Sequence, residues 1–213
     1  MFEKLIEDIR SLIIKEDIKN IIEERVREFI ENRYGDNERW FMELTYCILV
    51  ANTSAKSGLK CIEELKKDRT LFDGSAEEIE HVLRKAGYRY PRKRSEYISE
   101  SREIIKKIRY HVENAKDSEY RRMWLIKNVK GLGMKESSHF LRNIGYFNYA
   151  IIDRHIIKIL KRYEIIDLNI GKLNAKKYLE IEEILKSLAA KIDLEPGILD
   201  LYLWYMDTGE ILK

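Results

Sequence analysis

The tripeptide Gly131-Leu132-Gly133 constrains this chain most, because it breaks an apolar helical pattern with two residues that can take backbone angles closed to others. Met123, Leu125, Ile126 and Val129 form a short apolar face ahead of it, so a helix stops there. Beyond it, Lys135 to Ile144 carries Phe140, Leu141 and Ile144 at helical spacing and closes on Gly145, which suits a left-handed C-cap. The pattern predicts two helices joined by a tight glycine hairpin over residues 124–145.

The second of these helices would aim unpaired amides, at the positive end of its dipole, at whatever lies outside the hairpin. A phosphate suits that position. Further on, Asp153 stands just before Ile156, Ile157, Ile159 and Leu160, where an N-cap is expected. Lys135 and Asp153 would then each sit at a helix N-terminus.

The rest of the chain reads as helices. Phe2, Leu5, Ile6, Ile9, Leu12 and Ile13 make one amphipathic face, and Ile18, Ile21, Ile22, Val26, Phe29 and Ile30 make another. Trp40 to Ser54 is apolar on most sides, which predicts a central buried helix ending in a polar Asn52-Thr53-Ser54 tip. Ser75 to Glu78 has capping-box form ahead of a helix that ends at Gly87.

The stretch from Leu83 to Arg94 interleaves Tyr88 and Tyr90 with Arg84, Lys85, Arg89, Arg92, Lys93 and Arg94 in an expected loop, suited to base stacking and phosphate pairing. Tyr97 to Val112 reads as one long helix leading into an Asp117 cap. After a polar connection beyond Tyr163, Tyr178 to Ile192 forms another amphipathic helix, and Glu195-Pro196-Gly197 opens the last. The fold class is all-α.

A length of 213 residues predicts a single folding unit over 1–213. Charged residues are 36% of the chain, yet 40 basic against 37 acidic side chains leave a net charge of only +3. Bulk charge therefore neither demands nor excludes nucleic acid, and any DNA face must come from local clustering. Two cysteines, Cys47 and Cys61, give no disulfide framework and exclude a four-cysteine iron–sulfur cluster. Glu3, Lys4, Glu7 and Asp8 break the first apolar stretch, so neither a membrane span nor a cleavable signal is expected. The four histidines lack metal-ligand spacing, so no metal site is inferred.

Gly131-Leu132-Gly133-Met134-Lys135 followed by Asp153-Arg154-His155 resembles the signature of the helix-hairpin-helix DNA glycosylase superfamily in its lysine-bearing, bifunctional form. The superfamily usually has Gly-Pro or Val-Pro before the aspartate, where this chain has Ile151-Ile152. The ending Leu203-Trp204-Tyr205, Thr208-Gly209 and Lys213 is similar to that of the archaeal-type, second class of 8-oxoguanine DNA glycosylase/lyases. The resemblance runs from the Trp40 helix to Lys213.

The resemblance implies a helix-hairpin-helix glycosylase fold of two helical lobes, with the active site in the cleft between them. Lys135 would be the nucleophile and Asp153 its catalytic partner. Lys213, through its carboxylate, and Trp204, through its ring, would recognise the damaged base; a core role for Trp204 stays open. Asn52 would fill the gap left by the flipped base, and Tyr90 would wedge the stack, with Tyr88 as the alternative. Gly131 and Gly133 would grip a phosphate, Arg92 would also bind DNA, and His155 would either touch a phosphate or simply pack near Asp153.

No cofactor is implied, and a structural cation at the hairpin carbonyls stays open. The expected partner is double-stranded DNA containing a damaged base, bound by a monomer in the cytoplasm at the nucleoid. Two alternatives remain: the same chemistry on another oxidised base, or a non-catalytic DNA-binding module.

Overall fold

The structure is a computed structural model that describes residues 2–167, 171 and 173–213. Among these it contains thirteen helices and no strand, as the apolar periodicity requires. Contacts divide the chain into two units, one comprising Met1–Glu31 and Leu141–Lys213, the other Asn32–Phe140.

The second unit is built around α3 (Asn37–Val50), whose residues Trp40, Phe41 and Glu43 to Val50 are all buried. A helix with no polar face must be surrounded. It packs against α4 (Ala55–Lys66), α7 (Pro91–Glu103) and α8 (Ile105–Glu113). Trp40 meets Phe140 edge to face at 6.0 Å, and both are fully buried. Each such aromatic contributes about 1.5–3 kcal/mol through removal from water. Cys47 and Cys61 are buried and unbridged.

Local signals place the shorter helices. Asp36 caps α3 by accepting from Arg39 N. Ser75 and Glu78 form the expected reciprocal capping box at α6 (Ala76–Lys85), with Ser75 N donating to Glu78 over 2.7 Å. Asp117 caps α9 (Ser118–Asn128), which precedes the hairpin, and α10 (Met134–Asn143) follows it. A four-residue helix, α5 (Thr70–Asp73), follows a left-handed Arg69 that no apolar periodicity marks.

Three expectations are corrected. The aromatic and basic stretch is not a loop throughout, because α7 begins at Pro91, whose missing N–H costs nothing in a first turn. Arg92 therefore stands on a helix. The long helix expected from Tyr97 is broken at Ile104 (φ −109°, ψ 11°), between α7 and α8. Apolar spacing continues through the break and conceals it: Ile98, Ile105 and Ile108 are all buried. Finally, Ile21 and Ile30 are 48% and 42% exposed, since α2 (Glu16–Tyr34) buries only the narrower stripe of Ile18, Ile22 and Phe29.

The first unit gathers α1 (Phe2–Ile13), most of α2, α11 (Arg154–Arg162), α12 (Ala175–Ala190) and α13 (Pro196–Thr208). α13 packs against α1, α11 and α12. Its apolar residues exceed one stripe because several neighbours bury it, leaving Leu199, Leu201 and Leu203 at 3% exposure or less. Gly145 (φ 76°) turns the chain out of α10, with Gly145 N donating to Arg142 O. Arg142, 1% exposed, pairs with Asp200 at 3.4 Å and lies over the Phe29 ring. The polar connection expected after Tyr163 falls partly outside the described residues.

No helix among the described residues is long and apolar enough to cross a membrane.

Candidate active site

The hairpin lies within the second unit. α9 closes with Val129 N donating to Leu125 O, and Leu132 N then donates to Val129 O. Gly131 has φ +89°, and a Cβ there would come within 2.7 Å of Tyr97 Cδ2 and 3.1 Å of Arg94 Nη1. The turn thus needs glycine both for its backbone angle and for its neighbours. Lys135 is the second residue of α10, and its side chain is 27% exposed. Its Nζ lies 3.5 Å from Glu136 Oε1. The other Glu136 oxygen, Oε2, accepts from Gly133 N at 3.3 Å. One of the amides expected to face a phosphate is therefore occupied by the protein's own carboxylate.

A pocket of about 420 Å³ opens beside the hairpin, lined in part by Asn52, Tyr90, Arg94, Tyr97, Gly131 and Glu136. Three residues expected from the sequence, Asn52, Tyr90 and Gly131, thus meet around one space. Asn52 is exposed and left-handed at φ 62°. Its two neighbours serve the turn: Thr53 Oγ1 donates to Leu49 O, and Ser54 caps α4. Tyr88 points elsewhere; it is 5% exposed, its hydroxyl donates to Leu49 O at 2.6 Å, and burial pushes its pKa up. Arg92, 80% exposed in its side chain, lies 3.6 Å from Glu96.

Arg94 was not singled out by sequence reasoning. It is 8% exposed, donates through Nη2 to Ala51 O, and has Tyr97 against its guanidinium. The signal was present: Tyr90, Arg94 and Tyr97 follow helical spacing once Pro91 is recognised as a helix start.

In the first unit, Asp153 caps α11 as expected, its Oδ1 accepting from His155 N at 2.8 Å and Ile156 N at 3.0 Å. His155 Nδ1 lies 2.7 Å from Asp207 Oδ2, and Arg154 Nε donates to His155 Nε2. Asp207, only 3% exposed in its side chain, also pairs with Lys158 at 2.7 Å and Arg162 at 3.4 Å. Burial alone would raise the Asp207 pKa, but hydrogen bonds from Lys158 and His155 outweigh it and hold the carboxyl below its ordinary range.

The Trp204 ring lies 4.4 Å from that of His155, tilted by 58°. Trp204 is half-buried, and its Nε1 is buried without a hydrogen-bond partner among the described residues. After α13, Gly209 N donates to Tyr205 O, and Glu210 N to Thr208 Oγ1. These bonds tie the start of the terminal segment to the helix end, and Lys213 is half-buried. Asp207 escaped the sequence reading because its partners lie on α11 and adjoin it only after packing. Among the described residues no group of three or more His, Cys, Asp or Glu could hold a metal.

Two helices across a glycine hairpin, with a lysine opening the second and an aspartate capping a later helix, define a helix-hairpin-helix protein of the DNA glycosylase type. The chain belongs to the 8-oxoguanine DNA glycosylase family, whose model it matches over residues 22–194. It is similar to an 8-oxoguanine DNA glycosylase/AP lyase of Korarchaeum cryptofilum, at 45% identity over 92% of each chain. It also resembles the solved 8-oxoguanine glycosylase/lyase of Methanocaldococcus jannaschii in complex with a 15mer DNA containing 8-oxoguanine. That match has a TM-score of 0.92 and 41% identity, covering 99% of this chain and 100% of the other. The 8-oxoguanine DNA glycosylase of Thermotoga maritima gives a TM-score of 0.89 at 37% identity over the whole of both chains.

Proposed function

We propose that this protein is a bifunctional DNA repair enzyme that excises 8-oxoguanine from double-stranded DNA and then cleaves the strand at the abasic site. The observation that carries the reading is the position of Lys135, second in the helix that leaves the glycine hairpin and partly open to solvent. The relatives named 8-oxoguanine DNA glycosylase/AP lyase support the substrate and both activities.

Lys135 Nζ attacks C1′ of the flipped nucleoside, and the base leaves with the electron pair of its glycosidic bond. Asp153 stabilises the positive charge that develops on the sugar. The resulting Schiff base permits loss of the 3′ phosphate by β-elimination, which nicks the strand. Lysine carries the covalent chemistry, so no cofactor is needed.

Gly131 and Gly133 shape the hairpin that anchors a backbone phosphate, with the Gly133 amide itself held by Glu136, and this grip carries no sequence information. Arg92 and His155 add backbone contacts. Tyr90 and Asn52 hold the vacated stack open, and burial of Tyr88 supports Tyr90 as the wedge. Trp204 stacks on the extruded base while Lys213 reads its edge. The protein works as a monomer on the nucleoid.

The test is borohydride trapping on a labelled duplex carrying 8-oxoguanine opposite cytosine. A covalent adduct is expected with the native protein and none with Lys135→Gln. If neither traps while both bind, the assignment of Lys135 on this substrate fails. A panel of duplexes with other lesions then separates altered specificity from a DNA clamp.

A further inference from the structure

We propose that Glu136 is a positioning residue for Lys135 that also takes up its proton before attack. This rests on the reading of Lys135 as the nucleophile. Successive residues on a helix point roughly 100° apart and do not ordinarily face each other. Here they meet at the helix start, Glu136 Oε1 lying 3.5 Å from Lys135 Nζ.

The carboxylate is held from its other side as well, since Oε2 accepts the Gly133 amide at 3.3 Å. One oxygen is thus fixed on the hairpin backbone while the other addresses the amine. The Glu136 side chain is 16% exposed and faces the pocket that Lys93, Arg94, Tyr90 and Tyr97 line from α7 and its cap. Asp153, by contrast, has Oδ1 committed to two backbone amides.

In the step proposed, the Lys135 ammonium passes one proton to Glu136 Oε1 and becomes a neutral amine. Its lone pair forms the bond to C1′ as the glycosidic bond breaks, and the electron pair leaves with the base, which is protonated from solvent. The bond to Gly133 keeps the carboxyl in place throughout.

Glu136→Gln and Glu136→Asp separate this role from simple capping, because Gln satisfies a helix-start amide as readily as Glu. Duplex affinity is measured by fluorescence anisotropy, and reaction rate by single-turnover borohydride trapping with enzyme in excess. Glu136→Gln is expected to bind within about twofold of the native protein yet trap about 100-fold more slowly, the size of effect typical of a lost general base. Glu136→Asp is expected to recover at least tenfold of that loss.

Trapping by Glu136→Gln at the native rate would reduce Glu136 to a cap and overturn the proposal. So would an Asp variant no faster than Gln, or a fall in rate matched by an equal fall in affinity. If Lys135→Gln traps as well as the native protein, the nucleophile itself is misassigned and both readings fall together.

Discussion

His155 Nδ1 and Asp207 Oδ2 lie 2.7 Å apart although 52 residues separate them in the chain, and the bond holds the imidazole against the Trp204 indole. The bond joins the first turn of α11 to the last turn of α13. Lys158 and Arg162 converge on the other Asp207 oxygen, so one nearly buried carboxylate ties a face of α11 to α13.

Because these partners hold the Asp207 carboxyl below its ordinary range, its contribution to stability is present above about pH 4. It is lost as pH falls through the lower folded value. Asp207→Asn is expected to cost about 1–3 kcal/mol at neutral pH, with the gap to the native protein closing below pH 4. Urea midpoints across pH decide the matter, and a gap that persists to the lowest pH would count against this account.

Tyr163 carries the opposite sign. Burial first, then its hydrogen bond to Asp8, pushes its pKa up to about 12. Its contribution is therefore full below about pH 10 and lost as pH rises through about 12. In an ultraviolet titration of the thirteen tyrosines, Tyr163→Phe is expected to remove absorbance from the latest part of the curve. Loss of an early-titrating phenol instead would show that the bond to Asp8 does not persist in solution.

Gly131→Ala combines a left-handed backbone angle with close approach to Tyr97. The expected cost is about 1–3 kcal/mol of stability. Duplex affinity is expected to fall further than stability, because the hairpin itself is displaced. Thermal melting together with anisotropy separates the two, and an unchanged melting temperature would contradict the strain.

Tyr88 and Tyr90 should part company. Tyr88→Phe removes one of two donors to the Leu49 carbonyl, which keeps its bond from Thr53 Oγ1, and is expected to cost about 1 kcal/mol, with little effect on DNA binding. Tyr90→Ala is expected to leave stability nearly unchanged while weakening lesion-duplex affinity by about 10- to 100-fold, through about 1–3 kcal/mol of lost stacking. The reverse pattern would transfer the wedge role to Tyr88.

Much of the architecture was legible because its signals are local. The glycine hairpin, the Asp153 cap, the Ser75 and Glu78 capping box and the buried Trp40 helix all follow from spacing within one or two helical turns. Ile104 shows the limit of that method, since a break that leaves the apolar register intact leaves no mark on periodicity. Glu136 shows another: it adjoins Lys135 in the chain, yet helical geometry alone argues against their meeting.

The amino-acid sequence by itself determined the helical class, the places where the chain must turn and the residues at the starts of α10 and α11, because capping and backbone freedom act between near neighbours. Tertiary packing alone decided that Arg94 is buried beside the hairpin, that Tyr88 turns inward while Tyr90 lines the pocket, and that Asp207 meets His155. Such contacts depend on how whole helices pack, and side chains far apart in sequence acquire partners only when burial of apolar faces brings their helices together.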